Sequence, residues 1–240
     1  MSGRDHSVWF QMNVCSCAME WQMTYTKQQA EAQFRKWSRS YDRSPLQKIF
    51  FAPSHRILLS QIEEVCDSDV GKRSLKILDV GCGTGVFAQR LKENAFKGVF
   101  WGVDFSRDML DHALGRSLPG DQFYWIQGDS QRLPFPDDSL DMITCVHSFH
   151  HYPNQSECVY EMHRVLAPGG HAMILDADRD GWWGRVLYDM IVVAIEGDVY
   201  HPSRQRFQEL FHTAGFDSIE QHCFPGLAPM LLTTGRIAID

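Results

Sequence analysis

No run of eighteen apolar residues occurs anywhere in the chain, so the sequence offers no helix able to cross a membrane. The longest apolar stretch near the start, around Val14 to Met23, is interrupted by Ser16, Glu20 and Gln22 and lacks the continuous core of a secretory leader. The seven cysteines are odd in number and widely scattered, which excludes a disulfide framework. Cys15 and Cys17 stand too close together, and too alone, for a zinc site with its four ligands, so no metal centre is expected. Positive charge is also short. Thirty acidic residues outweigh 23 basic ones, and a net charge of -7 with a pI near 5.8 argues against a nucleic-acid-binding surface. Internal repeats and low-complexity tracts are missing too. The expectation from these absences is a cytoplasmic protein.

What is present fits that frame. The 240 residues make one large domain or two small ones, with 44% hydrophobic and 22% charged residues and a mean hydropathy of -0.30. A chain of this length buries roughly 70–75% of its unfolded surface and needs no staples. The organising stretch is Leu75 to Leu91, LKILDVGCGTGVFAQRL. A short apolar run, Ile77, Leu78 and Val80, suits a strand buried on both faces. Gly81, Gly83 and Gly85 follow at alternate positions, and a helical pattern begins. Strand, glycine turn and helix N-terminus form a cradle that a ligand can approach closely. Asp79, just before the glycines, would repel a pyrophosphate and favour a cation. S-adenosylmethionine (SAM) carries a sulfonium and an ammonium and no phosphate, and it is the ligand this reading favours.

The surrounding pattern is regular. Residues 1–29 show no clear period and read as an irregular arm or cap, or partly as an upstream extension. From Gln28 to Cys66 the pattern is helical, with Phe34, Trp37 and Tyr41 on one face, a break at Pro45, and then Ile57, Leu58, Ile62 and Val65. Strands are predicted at Leu75–Val80, Gly98–Val103, Gln122–Gln127, Leu140–Val146, His171–Asp176, Phe216–Phe224 and Met230–Ile239. Helices fall between them at Val86–Asn94, after an N-cap at Ser106, at Gln155–Leu166 with a stop at Pro168, Gly169 and Gly170, around Trp182–Ile195, and at Ser203–Ala214. The alternation predicts an α/β fold, a mostly parallel sheet with helices on both faces behind an N-terminal helical cap. The division expected is 1–70 for arm and cap and 71–240 for the ligand-binding domain.

Two further acids stand in register with the glycine turn. Asp104 ends the second strand, 19 residues beyond Gly85, where a carboxylate can accept from both ribose hydroxyls of a nucleoside. Asp129, in Gly128-Asp129-Ser130, ends the third strand, where it can meet an adenine amino group. Each alone has a plain structural reading: a tight turn, a helix cap, a turn residue. Gly83 to Ala88 even fits the dinucleotide pattern G-x-G-x-x-A, which keeps an NAD-linked oxidoreductase open as an alternative. Three acids at successive strand ends favour the nucleoside site.

These residues resemble the class I SAM-dependent methyltransferases, in particular the small-molecule branch of ubiquinone and menaquinone biosynthesis. ILDVGCGTG is similar to the family's first motif and GVDFSRDML to its second. GDSQRLPFPDDSLDMITCVHSFHHYPN is similar to the third and fourth blocks, and EMHRVLAPGGHAMILD to the fifth. Tyr41 to Arg43 resembles the cap whose aromatic residues close over the cofactor. The resemblance implies a Rossmann-like seven-stranded sheet with its last strand antiparallel. It implies cofactor contacts from Tyr41, Asp79, Gly81, Gly83, Thr84, Gly85, Asp104, Phe105, Met109, Asp129, Ser130 and Val146, with S-adenosylhomocysteine (SAH) as product. At Val146 the ubiquinone-type enzymes carry a hydroxyl, so valine leaves backbone contacts alone.

Methyl transfer asks the protein to exclude water, align donor and acceptor, and sometimes remove a proton. His150 and His151, just past the fourth strand, are the candidate bases, with Tyr41 behind them. Trp182, Trp183, Tyr188, Met190 and Ile191 could line an apolar acceptor pocket, though such a stripe is more often core packing. No asparagine–proline–proline–aromatic motif follows the fourth strand, which argues against methylation of DNA bases. Arsenic methylation would need clustered thiols, for which Cys66, Cys145 and Cys158 would have to converge. The expected activity is transfer of a methyl group to an O, N or C atom of a small molecule, without nucleic acid or membrane span and with a homodimer left open. A non-catalytic SAM-binding regulator is the other alternative.

Overall fold

The structure is a computed structural model that describes residues 51–65, 74–117, 122–196 and 199–239. Its elements run α1 (Ala52–Val65), β1 (Leu75–Val80), α2 (Val86–Glu93), β2 (Gly98–Asp104), α3 (Arg107–Leu114), β3 (Phe123–Gln127), β4 (Leu140–Val146), a 3₁₀ turn (Phe149–His151), α4 (Gln155–Val165) and β5 (Leu166–Ala177). A helical run in three parts follows, α5 (Trp182–Gly184), a π-helical stretch (Arg185–Val192) and α6 (Val193–Glu196), before α7 (Arg204–Ala214), β6 (Ser218–Phe224) and β7 (Met230–Arg236). The seven strands lie in the order β3-β2-β1-β4-β5-β7-β6. β7 pairs antiparallel with both β5 and β6, and the other pairings are parallel. The chain reverses direction across the sheet between β1 and β4, and the crevice there is where such sheets take their ligands.

The strand pattern explains the layers. β1 is buried at every position but Lys76, and its alternate residues serve opposite faces. Leu78 and Val80 join Ile143, Cys145 and Ile174 against Val159 and Met162 of α4 and Phe207 and Phe211 of α7. Leu75 and Ile77 join Phe100, Met142 and Met173 against Leu58 and Ile62 of α1 and Phe87 and Leu91 of α2. Helices therefore cover both faces, as parallel strands require. Burying one such Leu or Ile contributes about 1.5–3 kcal/mol. Helix starts are set by side-chain caps. Ser106 Oγ accepts from Met109 N–H at 3.3 Å, Asn154 Oδ1 from Glu157 N–H at 3.3 Å, and Ser203 Oγ from Arg206 N–H at 3.1 Å.

Several features differ from the sequence pattern, among them β7, which ends at Arg236 rather than Ile239. β5 begins at Leu166 rather than His171, so Pro168, Gly169 and Gly170, which follow the stop of α4 at Val165 as expected, do not form a turn outside the strand. They form an irregular strand entry instead, where the ladder to β4 slips between the Leu140 and Met142 pairings and the Gly169 N–H turns to Ile237 O at 3.1 Å. Phe216 is outside β6 because its ring packs in the core, 4.8 Å from that of Phe211. The run after β5 takes π-type bonding over eight residues, which a 3.6-residue period does not anticipate. Of the expected cap, α1 is described, whereas Phe34, Trp37 and the Tyr41–Arg43 segment lie outside the described residues.

Candidate functional site

The carboxyl ends of β1, β2, β4 and β5 meet along one edge, and the side chains there are built outward from the glycine turn. Gly81, Gly83 and Gly85 all take positive φ, at 74°, 53° and 76°. Gly81 has no alternative, since a Cβ there would sit 2.6 Å from the Tyr152 hydroxyl and against the Ser148 Oγ. Gly83 is the opposite case. A Cβ there meets nothing within 4 Å, so the backbone borders open space that a ligand can enter. Thr84 is buried at 2% exposure, and helix α2 follows at once.

Asp104 is bound into that turn. Its Oδ2 accepts from Gly83 N–H and its Oδ1 from Ser106 N–H, each at 2.8 Å. Burial pushes its carboxyl up to about 6, against the pull of those two bonds. Each oxygen keeps a second acceptor site, so the pair suits two hydroxyls presented together. Asp79 lies deeper, 3% exposed, with Thr144 Oγ1 donating to it at 2.7 Å. Burial, with the nearby Asp104 charge, pushes its carboxyl up to about 7. A cation at this edge would favour the ionised form of both.

The remaining cofactor candidates are spread along the same edge. Phe105 is partly exposed beside Asp104, whereas Met109 is buried in α3. Asp129 closes a turn, its Oδ1 accepting from Gln131 N–H at 3.0 Å, so its structural role is already visible. Ser130 Oγ lies 3.1 Å from Cys158 Sγ. Val146 is half-buried and packs toward the layer of α1 and α2. Tyr41 is outside the described residues. The cradle therefore fits a nucleoside with a positively charged tail: glycine backbone, a fixed carboxylate for paired hydroxyls and a buried acid behind.

The exit from β4 links this cradle to a second cluster. Ser148 Oγ donates to Val80 O at 3.1 Å and lies 3.0 Å from the Tyr152 hydroxyl, which holds the 148–152 segment against Gly81. His147, at φ 50°, brings its Nε2 to 2.6 Å from Ser54 Oγ and so docks α1 on the same exit. Between these anchors sit His150 and His151, 7% and 8% exposed with ring centroids 4.2 Å apart. His150 Nδ1 stands 2.8 and 3.0 Å from the two carboxylate oxygens of Asp176, which is next to last in β5 and 1% exposed. His201 adds a third buried group, its Nδ1 3.7 Å from Asp176 Oδ1. Burial pushes the Asp176 carboxyl up, but the charge and hydrogen bond of His150, helped by His201, hold it well below the usual carboxylate range. His151 goes the other way, pushed well below the usual imidazole range by burial and then by His150.

Donor atoms of His150, Asp176 and His201 all lie within 4.8 Å of one another. The contacts of His150 with both Asp176 oxygens are nevertheless those of a shared proton. Two ligands of one tetrahedral zinc, each at about 2.0–2.1 Å, stand more than about 3 Å apart. Sequence reasoning found His150 and His151 but not their partners. Asp176 obeys the same rule as Asp79, Asp104 and Asp129, an acid at the carboxyl end of a strand, and that rule would have found it. His201, between two helices, has no such signal. The five residues expected as a pocket separate in the structure. Tyr188 and Trp183 pack with Ala177 and Ala228, while Trp182, Met190 and Ile191 face outward, 81%, 67% and 43% exposed. Cys145 and Cys158 are buried and bonded to Ser148 and Ser130, and Cys66 lies outside the described residues.

Residues 78–174 match the family described as Methyltransferase domain. The chain is 28% identical over 221 residues to demethylmenaquinone methyltransferase of Staphylococcus epidermidis, covering 83% of this chain and 90% of that one. Magnesium protoporphyrin IX methyltransferase of Synechocystis PCC 6803, solved with bound SAH, superposes with a TM-score of 0.71 at 16% identity, over 89% of this chain and all of that one. A SAM-dependent methyltransferase from Aquifex aeolicus superposes at 0.59 with 18% identity, over 85% and 98%. At these identities the solved structures speak for the fold. No helix among the described residues is long and apolar enough to cross a membrane.

Proposed function

From the premise that this chain is a class I SAM-dependent methyltransferase, we propose that it methylates a small aromatic molecule with an ionisable hydroxyl or an activated ring carbon, of the quinol kind that the name of the Staphylococcus relative points to. Bound at the glycine turn, SAM supplies an electrophilic methyl group on a sulfonium that is already an excellent leaving group. The chain's residues have the remaining tasks. Asp104 holds the ribose hydroxyls, Gly81, Gly83 and Thr84 border the cofactor, and Asp79 compensates its positive charge from behind. Phe105, Met109, Asp129, Ser130 and Val146 complete the proposed cofactor surface.

The observation that carries the reading is the buried His150–Asp176 pair beside that cradle. With Nδ1–H donating to the carboxylate, Nε2 becomes the basic nitrogen of the ring. Asp176 then fixes the tautomer and stabilises the imidazolium that forms when a hydroxyl or ring proton is taken. The acceptor's nucleophile is strengthened as its proton leaves, which is what a phenol or quinol needs near neutral pH. His151, held neutral by burial, packs against His150 and supports the ring. The test is turnover of SAM to SAH with demethylmenaquinol and simpler hydroxylated aromatics. His150→Ala should lower kcat about 10²–10⁴-fold with SAM affinity intact, and Asp176→Asn should do nearly the same. Full turnover by His150→Ala would remove the base from this scheme.

A further inference from the structure

His201 has no part in the chemistry above, yet it is 4% exposed and set against the proton-accepting pair. It lies on the segment entering α7, which is tied to the turn that carries His150. Tyr200 N–H donates to His150 O at 3.0 Å, and Gln155 Nε2 donates to Tyr200 O at 3.0 Å and to Phe149 O at 3.2 Å. The His201 ring centroid is 4.4 Å from that of His150, and Tyr188 closes its other side at 5.1 Å. Arg179 Nη1 reaches the His201 carbonyl at 3.4 Å.

A carboxylate that has one buried imidazole to itself holds that ring's second proton more firmly than a carboxylate shared between two rings, and a ring that holds both protons accepts no other. Building on the reading of His150 as the base, we propose that His201 is a positioning residue: its Nδ1–H shares the Asp176 carboxylate and so leaves His150 neutral until the acceptor arrives. At 3.7 Å from Asp176 Oδ1 it acts as an oriented dipole, and a closing of less than about 1 Å makes it a hydrogen bond. The groups facing His150 come from each neighbouring element. His151 comes from its own turn, Asp176 from β5, His201 from the segment before α7, and Tyr188 stands behind His201 on the π-helical stretch. Asp176 supplies the negative charge in that set, so how it is shared governs whether the His150 proton stays. Its oxygens also accept from Ala177 N–H at 2.7 Å and His150 N–H at 3.2 Å, which spread the same charge further.

The experiment pairs side-chain ¹⁵N NMR titration of histidines in the full chain with SAH bound and the pH profile of kcat/KM. His201→Leu removes the donor, and both the His150 midpoint and the acid limb should rise by about half a pH unit or more. His201→Asn, whose amide stands where Nδ1 stood, should return both toward wild type. Should the leucine variant not fold, His201→Gln carries its amide at the Nε2 position instead and should behave as leucine would. An unchanged or lowered midpoint in His201→Leu, or asparagine matching leucine, overturns the proposal. So does one equivalent of zinc in the purified protein that His201→Leu abolishes. The NMR midpoint is read without turnover, so it tests this coupling even if His150→Ala proves active and the base assignment falls.

Discussion

Replacing Asp104 by Asn changes one atom's chemistry and should disable the cofactor site by two separable routes. In the wild type both carboxylate oxygens accept a backbone N–H, from Gly83 and Ser106, at 2.8 Å. An amide offers one accepting oxygen and an NH₂ that must face the other N–H donor to donor. One charge-assisted bond is lost, and the ribose hydroxyls lose the ionised partner they need. Hydrogen bonds to a charged group contribute about 1.5–3 kcal/mol each, so SAM and SAH affinity should fall by roughly 10–150-fold. The pH dependence supplies the second signature. Burial holds the free Asp104 carboxyl at about 6, and ligand hydroxyls prefer the ionised form. Binding is therefore at full strength above about 6 and is lost as pH falls through it, by up to about tenfold at pH 5. Asp104→Asn has no such proton, so the step centred near 6 should vanish and leave only the dependence centred near 7 that Asp79 contributes. Calorimetric titration with SAH from pH 5 to 8 reads both. Wild-type affinity in the variant at pH 7.5, or a wild-type profile that is flat between pH 5 and 7, would refute a ribose-binding carboxylate.

Two other changes follow from the same edge of the sheet. Asp79 has its carboxyl pushed up to about 7, so the folded protein keeps a proton that the unfolded chain releases near 4, and stability without cofactor declines as pH rises through that window. Asp79→Asn, which can still accept from Thr144, should raise denaturant stability at pH 8 by ~1–3 kcal/mol while weakening SAM binding; a variant less stable than wild type at pH 8 contradicts the burial argument. Gly81→Ala should cost about 2–4 kcal/mol in a urea melt, because φ is 74° and the new methyl meets Ser148 and Tyr152. Gly83→Ala, with open space around its Cβ, should cost less stability and more cofactor affinity.

The half of the site proposed for the cofactor was legible because its signals are local. Gly81 to Gly85, Asp104 and Asp129 each occupy a strand's carboxyl end, and a parallel sheet brings such ends together whatever the intervening helices do. Strands β1, β2 and β4 could be placed within a residue because buried parallel strands read as continuous apolar runs between polar turns. Where tertiary pairing overrode local pattern, the reading failed. Pro168 to Gly170 do mark the end of α4 at Val165, but the sequence pattern places the next strand only from His171, whereas pairing of Leu166 with Leu140 draws them into β5. The residues from Trp182 to Ile191 read in sequence as one pocket lining, but Tyr188 and Met190, two residues apart, face opposite sides of a helix, so Tyr188 turns inward and Met190 outward.

The half that holds the proton site was hidden for a different reason. His150, Asp176 and His201 are 26 and 25 residues apart in sequence, each in a segment with its own sufficient explanation: a turn, a strand end, a connection before a helix. Their meeting depends on the 148–152 segment being pinned twice, to Val80 O through Ser148 and to the segment before α7 through Tyr200. The same pinning joins the two halves. Gly81 lacks a side chain because Ser148 and Tyr152 occupy its place, and those residues flank the turn on which His150 meets Asp176. A glycine turn that reads as a ligand cradle is thus also the wall against which the turn carrying His150 is set.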